Sequence, residues 1–165
     1  MIILGIDPGV ARTGWCALEV SDRAVSPAKS PKCLGLGVIE TPASAALDAR
    51  LAALTSEIKN KINAWRPSAM AVEELFFMKK SPSVLRVAQA RGAVIAVAAG
   101  RGIEVFEYNP VSVKKTLTGY GSASKSQMQS MIKTILRLAK PPSPDDAADA
   151  AAIALCHYYT RGRYR

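Results

Sequence analysis

The stretch MIILGIDPGVARTGWCALEV, residues 1–20, is the most informative part of this chain. Its apolar beginning, residues 1–6, predicts a buried strand that leads into the turn Asp7-Pro8-Gly9. Residues 13–20 predict a second strand, and residues 32–40 predict a third. The segments that join these strands have no helical pattern, so we expect the three strands to form a hairpin or antiparallel meander.

The period of the apolar residues changes after Pro42. Leucines and isoleucines then recur at helical spacing from Leu47 to Ile62, after a possible helix cap at Ser44. Further along, the pattern predicts strands at 69–75 and 102–108, and helices at 81–100, 110–117, around 128–135 and at 145–159. This order predicts an α/β fold, a mixed sheet of about five strands flanked by helices, in one domain over residues 1–165.

The composition excludes several classes of protein. Hydrophobic residues make up 49% of the chain and charged residues 21%, which is ordinary for a globular protein and argues against disorder. The longest uncharged apolar stretch, residues 92–100, is far shorter than the ~20 residues that span a bilayer. The three cysteines are odd in number and have no CxxC spacing, which suits a reducing compartment. We therefore expect a cytoplasmic protein without a membrane segment.

The positive charge is concentrated in one block. The chain has 22 Lys and Arg against 13 Asp and Glu, a formal net charge of +9. Residues 75–144 hold eleven of the basic residues and two acids, Glu104 and Glu107, so this block alone accounts for the net charge. One basic block in an otherwise balanced chain is typical of a surface that binds a polyanion, and nucleic acid is the expected partner.

Four acidic residues lie where a purely structural role is difficult to assign. Asp7 follows an apolar strand, Glu73 lies within one, and Asp146 and Asp149 are three residues apart on one helix face. Ionised carboxylates are costly to desolvate, so a burial-prone strand seldom keeps one unpaired. Together the four acids suggest a metal site.

Structural explanations compete with this interpretation. Asp-Pro-Gly is good turn chemistry, so Asp7 also reads as a turn residue. Asp145 and Asp146 both lie in the first turn of a predicted helix, where acids complement the helix dipole. Glu73 and Glu74 point to opposite faces of a strand, and the pattern leaves open which of them lies at the surface.

The residue types indicate which metal and which reaction to expect. Carboxylates without a nearby histidine or cysteine favour hard cations such as Mg²⁺, for which Mn²⁺ substitutes. Two divalent cations balance four carboxylates, and two metals about 3.5–4 Å apart stabilise both oxygens of an in-line phosphodiester displacement. His157, the single histidine, follows an apolar run and is expected to pack or lie at the surface. No G-x-x-x-x-G-K-[ST] phosphate loop is present, so phosphodiester hydrolysis is favoured over nucleotide chemistry.

Five segments carry a resemblance to a known family. They are GIDPGVARTGW (5–15), AVEELFF (71–77), AQARGA (88–93), VKKTLTGYGSASKSQ (113–127) and DDAADAAAIALCH (145–157). In this order and combination they resemble the RuvC family of Holliday junction resolvases, which belongs to the RNase H-like superfamily. The resemblance implies a metal-dependent endonuclease that resolves four-way DNA junctions by paired nicks.

The resemblance also assigns roles to individual residues. It implies that the metal-binding carboxylates are Asp7, Glu73 rather than Glu74, Asp146 rather than Asp145, and Asp149. Phe76, followed by Phe77 and Met78, matches a family aromatic that stacks on unpaired bases at the junction. Lys114 and Lys125 match lysines near the scissile backbone, and Lys79, Lys80, Arg86 and Arg91 are expected to position the DNA arms.

Partners follow from the shape of the substrate and from the family. A four-way junction has approximate two-fold symmetry and is nicked on two strands, so we expect a C2 homodimer with the helix around residues 84–98 as its interface. The resemblance further implies cooperation with the RuvA–RuvB branch-migration machinery. Three other readings stay open at this point: a non-catalytic junction-binding protein, a related nuclease acting on RNA or another branched DNA, and one lobe of an actin-like ATPase or sugar kinase.

Overall fold

The fold is a five-stranded mixed sheet. The computed structural model of the protein describes residues 1–21, 30–75 and 82–161. The strands are β1 (Ile2–Asp7), β2 (Arg12–Glu19), β3 (Lys32–Glu40), β4 (Ala69–Glu73) and β5 (Glu104–Tyr108), in the spatial order β3-β2-β1-β4-β5. β1, β2 and β3 form an antiparallel meander, and β4 and β5 continue the sheet parallel to β1. The predicted fold class and the predicted meander are both confirmed.

Five helices flank the sheet. They are α1 (Leu47–Trp65), α2 (Pro82–Ala99), α3 (Pro110–Thr118), α4 (Lys125–Leu136) and α5 (Asp145–Thr160). Asn109 caps α3, because its side chain accepts a hydrogen bond from the Ser112 N–H at 2.8 Å. The predicted cap at Ser44 is wrong: α1 begins after Ala46, whose side chain makes no capping bond. A turn in which the Ala45 N–H donates to the Pro42 carbonyl delays the start of the helix.

The two faces of the sheet bury different helices. Side chains alternate along a strand, so Leu4 and Ile6 of β1 pack with α1 and α2, whereas Ile3 packs on the opposite face with α5. The middle of α5 is a run of buried alanines and carries little bulk. A methyl group added to Gly5 would overlap the main-chain oxygen of Ala150, so the helix lies directly against the strand. This close approach fixes the height of α5 above the sheet.

Within residues 1–21, 30–75 and 82–161, none of the five helices combines the length and the apolar character that crossing a bilayer requires.

Candidate active site

Parallel pairing of β1 with β4 brings Asp7 beside Glu73. Ile6 of β1 is the register partner of Val72 in β4, and each acid is the next residue of its strand. Both acids lie one position beyond side chains that pack under α1 and α2, so both project from the face covered by α5. Two acids distant in sequence therefore share one edge of the sheet.

The first turn of α5 lies over the neighbouring strand. Gly14 of β2 is the register partner of Asp7, and a methyl group on Gly14 would overlap the main-chain oxygen of Asp146. This contact places Asp146 above the end of β1. Asp149 lies one helical turn further along α5 on the same side. The structure thus brings all four predicted acids into one region.

Burial and mutual repulsion raise the pKa values of three of these acids. Burial, followed by the charges of Glu73, Asp149 and Asp146, raises the pKa of Asp7 to about 8. Burial and the charge of Asp149 raise the pKa of Glu73. Burial also raises the pKa of Asp149, while the charge of Lys125 opposes the shift. A region that resists holding several negative charges is one that added positive charge would stabilise.

The side chains do not yet form a closed ligand set. In the part of the chain that the structure describes, no three Asp, Glu, His or Cys groups converge on one point suited to an ion. Asp7 and Glu73 lie side by side at the ends of β1 and β4, and the charges of Glu73, Asp149 and Asp146 add to the effect of burial on the pKa of Asp7. The donors are all carboxylate oxygens, which suit a hard divalent cation.

Asp145 and Asp146 have different partners. Asp145 pairs with Lys125 Nζ at 3.0 Å and accepts a hydrogen bond from Gln129 Nε2 at 3.0 Å, so it fastens α5 to α4. Asp146 points to the other side of the helix, where its carboxylate lies 3.2 Å from Nε of Arg12. Asp145, which the resemblance does not assign to the metal site, is therefore the acid that joins two helices.

A cleft of about 210 Å³ opens beside the acids. Its lining includes Glu73 and Asp149 together with Lys114 of α3 and Lys125 of α4. The first turn of α4 is held by a capping box, in which the Ser124 side chain accepts from the Gln127 N–H. Two predicted lysines and two predicted acids therefore share one opening.

The other residues predicted to contact DNA fall into three groups. Arg86 is exposed on α2. Arg91 is turned inward: its Nε donates to the Glu73 carbonyl at 3.2 Å, and its guanidinium pairs with Glu107. Arg91 therefore holds the end of β4. From the sequence, we expected Arg91 to position the DNA arms. Phe76, Lys79 and Lys80 lie outside the described residues.

His157 is a core residue. It is 2% exposed, and its Nδ1 lies 2.8 Å from the Tyr108 hydroxyl. Burial and the charge of Arg161 lower its pKa to about 4, so the imidazole is neutral near pH 7. The expected packing role is confirmed, and the ring has no part in the acidic region.

Sequence reasoning missed Arg12. Its guanidinium lies between the carboxylates of Asp146 and Glu40, at 3.2 Å and 3.7 Å. The signal in the sequence was weak, because Arg12 lies outside the basic block and at the start of β2. Taken together, carboxylates and lysines around one open cleft can bind cations and a phosphodiester backbone, respectively.

Comparisons with known proteins agree on one family. The family model described as "Crossover junction endodeoxyribonuclease RuvC" matches residues 3–157. A protein of that name from Endomicrobium trichonymphae is 49% identical over 161 residues, which cover 97% of this chain and 82% of the relative. The Thermus thermophilus RuvC structure superposes with a TM-score of 0.88 at 32% identity, covering 99% of this chain and 96% of that one. A structure of T. thermophilus RuvC in complex with a Holliday junction substrate gives a TM-score of 0.86 at 30% identity, covering 99% and 97%.

Proposed function

The chain belongs to the RuvC family of crossover junction endodeoxyribonucleases, and we propose on this premise that it resolves four-way DNA junctions by nicking two strands symmetrically. The observation that carries the proposal is the register of β1 with β4, which places Asp7 beside Glu73 under the acidic start of α5, next to a cleft lined by two lysines. Actin-like ATPases and sugar kinases use a second lobe around the nucleotide, and the family match removes that alternative.

Asp7, Glu73, Asp146 and Asp149 hold divalent metal in this proposal. The fit rests on the donor set, which consists of carboxylates, and is supported by the raised pKa of Asp7, to which the charges of Glu73, Asp149 and Asp146 contribute after burial. Two Mg²⁺ ions, for which Mn²⁺ substitutes, match four carboxylates in charge. Such ions supply an activated water and stabilise the departing 3′ oxygen. The products are then a 5′ phosphate and a nick that a ligase can seal.

Lys114 and Lys125 bind the phosphate backbone beside the cut. Lys125 is exposed, and its charge opposes the rise that burial causes in the pKa of Asp149, so the lysine and the acid are in electrostatic range. A phosphate that approaches the cleft can replace Asp145 as the partner of the Lys125 ammonium group. Phosphate contacts of this kind position a strand without reading its sequence.

Contacts outside the cleft open and orient the junction. Phe76 is proposed to stack on unpaired bases, and Lys79, Lys80 and Arg86 are proposed to position the arms. Arg91 has an indirect role, because its side chain holds the Glu73 carbonyl and so the end of β4.

A homodimer supplies the second cut. The outer side of α2 carries Leu85, Gln89, Gly92 and Ala96 at helical spacing, all exposed. A methyl group on Gly92 would meet no atom within 4 Å, so this stripe is open and flat enough for another helix. We place the two-fold axis along α2. RuvA–RuvB is the proposed partner that delivers the junction.

A cleavage assay on a synthetic mobile four-way junction tests the function. Matched duplex and flap substrates serve as controls, with Mg²⁺, Mn²⁺ or EDTA in the buffer. We expect paired nicks at symmetric positions of the junction, dependent on metal, and little cutting of the controls. Binding without cutting in either metal would show a non-catalytic junction-binding protein, and preferred cutting of flaps or RNA would show a different nuclease.

A further inference from the structure

Two large apolar side chains are exposed beside the lysines of the cleft. Tyr120, just after α3, is 73% exposed, and Val111, in the first turn of α3, is 62% exposed. Exposed aromatics next to basic residues are the usual stacking platforms of proteins that bind single strands. The family resemblance and the predicted contacts assign no role to either residue.

The loop that carries Tyr120 is held in place. Gly119 ends α3 with φ of 83°, a left-handed conformation that reverses the chain. The Thr118 hydroxyl accepts from the Tyr120 N–H at 3.2 Å and lies 2.8 Å from the Lys114 carbonyl oxygen. The backbone that presents the ring is therefore tied to α3 on both sides of the turn.

The same loop folds back along one side of α3. A methyl group on Gly121 would come within 2.9 Å of Val111 Cγ1, so the loop rests on the first turn of the helix. Val111, Lys114 and Thr118 follow one another at helical spacing and share that side. Tyr120 is thus presented beside Lys114, which lines the cleft.

Charge favours a nucleic acid as the occupant of this surface. Residues 109–125 contain Lys114, Lys115 and Lys125 and no acid. An apolar protein partner would have to desolvate these ammonium groups, whereas a DNA strand places phosphates against them and bases against the ring. Continuity with the cleft places that strand next to the cut.

We propose that Tyr120, backed by Val111, stacks on a nucleobase of the DNA strand whose phosphate lies against Lys114 and Lys125. This rests on the proposed function and extends it by one contact. Stacking tolerates every base because each has a π face, so Tyr120 holds a base that has left its pair without dictating which one.

Photocrosslinking tests the contact directly. Mobile junctions carry 5-iodouracil at single positions on either side of the cut, and irradiation in EDTA is followed by peptide mapping. We expect an adduct on Tyr120 from a position next to the cut. Tyr120→Phe keeps the ring, so the peptide that contains residue 120 should still form the adduct. Tyr120→Leu keeps apolar surface but has no ring, so that peptide should no longer form the adduct.

Binding measurements supply a second readout. We expect Tyr120→Leu to weaken junction binding about 5- to 150-fold, the range that base–aromatic stacking gives on loss of the ring, and Tyr120→Phe to restore binding. Because Tyr120 is exposed, the thermal midpoint of Tyr120→Leu should match that of the unsubstituted chain, which separates lost contact from lost folding.

The outcomes distinguish this inference from the proposed function. If the unsubstituted chain cuts junctions while Tyr120→Leu binds equally well and the adduct lies elsewhere, the stacking role is overturned and the nuclease stands. If Tyr120 forms the adduct but no junction is cut, the stacking contact stands and the nuclease falls. A Tyr120→Leu variant that changes self-association but not junction affinity would make this a protein contact and overturn the proposal.

Discussion

Asp7 and Glu73 end two neighbouring parallel strands, and the pairing of Ile6 with Val72 places the two acids side by side. Burial and neighbouring negative charge raise the pKa of both carboxyl groups, which favours their protonated forms until a cation balances the charge. This relationship between two distant residues underlies the proposed metal site, and it makes that site testable by substitution at one position.

Asp7→Asn should abolish junction cleavage in Mg²⁺ and leave junction binding within about twofold. The substitution removes a metal-holding carboxylate but no positive charge that contacts DNA. Cleavage rates and gel-shift affinities on one junction measure both effects. The exposed Asp48→Asn on α1 is the matched control and should cut normally. Continued cutting by Asp7→Asn would remove Asp7 from the mechanism.

The same substitution should stabilise the protein when divalent cations are absent. The pKa of Asp7 is raised from 3.8 to about 8, so its contribution to stability is complete below pH 3.8 and is lost as pH rises through about 8. In EDTA at pH 9, the free energy of unfolding of Asp7→Asn should therefore exceed that of the unsubstituted chain by more than about 1 kcal/mol, which corresponds to roughly 2–4 °C in Tm.

The difference between the two chains isolates Asp7 from other titrations. His157, with its pKa lowered to about 4, and Cys33, with its pKa lowered to about 7 by a hydrogen bond with Cys16, titrate in both chains. Between pH 5 and pH 9, the difference in Tm between Asp7→Asn and the unsubstituted chain should become larger as pH rises. A gap that stays constant or narrows would mean that Asp7 is not held neutral by its surroundings.

Arg12→Gln should strengthen divalent-cation binding about two- to fivefold. The guanidinium of Arg12 lies 3.2 Å from Asp146 and competes with a cation for that carboxylate, although exposed pairs of this kind contribute no more than about 1 kcal/mol. Titration with Mn²⁺, followed by the loss of free-ion paramagnetic signal, measures the affinity. Glu40→Gln removes the other partner of Arg12 and should not raise it. Weaker binding in Arg12→Gln would show that Arg12 orients Asp146 instead.

Gly92→Arg should convert a dimer into a monomer without unfolding it. The position is open in the structure, so the added side chain clashes only with a partner helix. Sedimentation should report about 17.5 kDa in place of twice that mass. Asn60→Arg, an exposed site on α1, adds the same charge and should remain dimeric. An unsubstituted chain that sediments as a monomer, or a Gly92→Arg dimer, would contradict the interface.

Patterns of period two and 3.6 were sufficient to predict the elements and their order. The strand predicted at 32–40 has the observed bounds, and the predicted strand at 69–75 ends two residues early, at Glu73. The cap at Ser44 failed because a local turn at Pro42, which no periodic pattern reports, delays the helix. Element existence follows from periodicity, whereas helix starts depend on individual hydrogen bonds.

Side-chain pairing could not be predicted in the same way. Arg91 looked like one more base in a positive block, yet its guanidinium lies under the Glu73 carbonyl because β4 and α2 pack against the same layer. The contact between Arg12 and Asp146 likewise depends on how α5 settles over Gly14. Such contacts depend on tertiary packing, so the order of residues along the chain does not predict them.

The distance along the chain between Asp7 and α5 has a consequence during synthesis. A ribosome releases β1 early, and the carboxylates of α5 emerge only after the other strands and helices described here. An unfinished chain therefore has Asp7 and Glu73 without the acids of α5. The acidic region is complete only after α5 has docked on Gly5 and Gly14, so the proposed metal site would form late in synthesis.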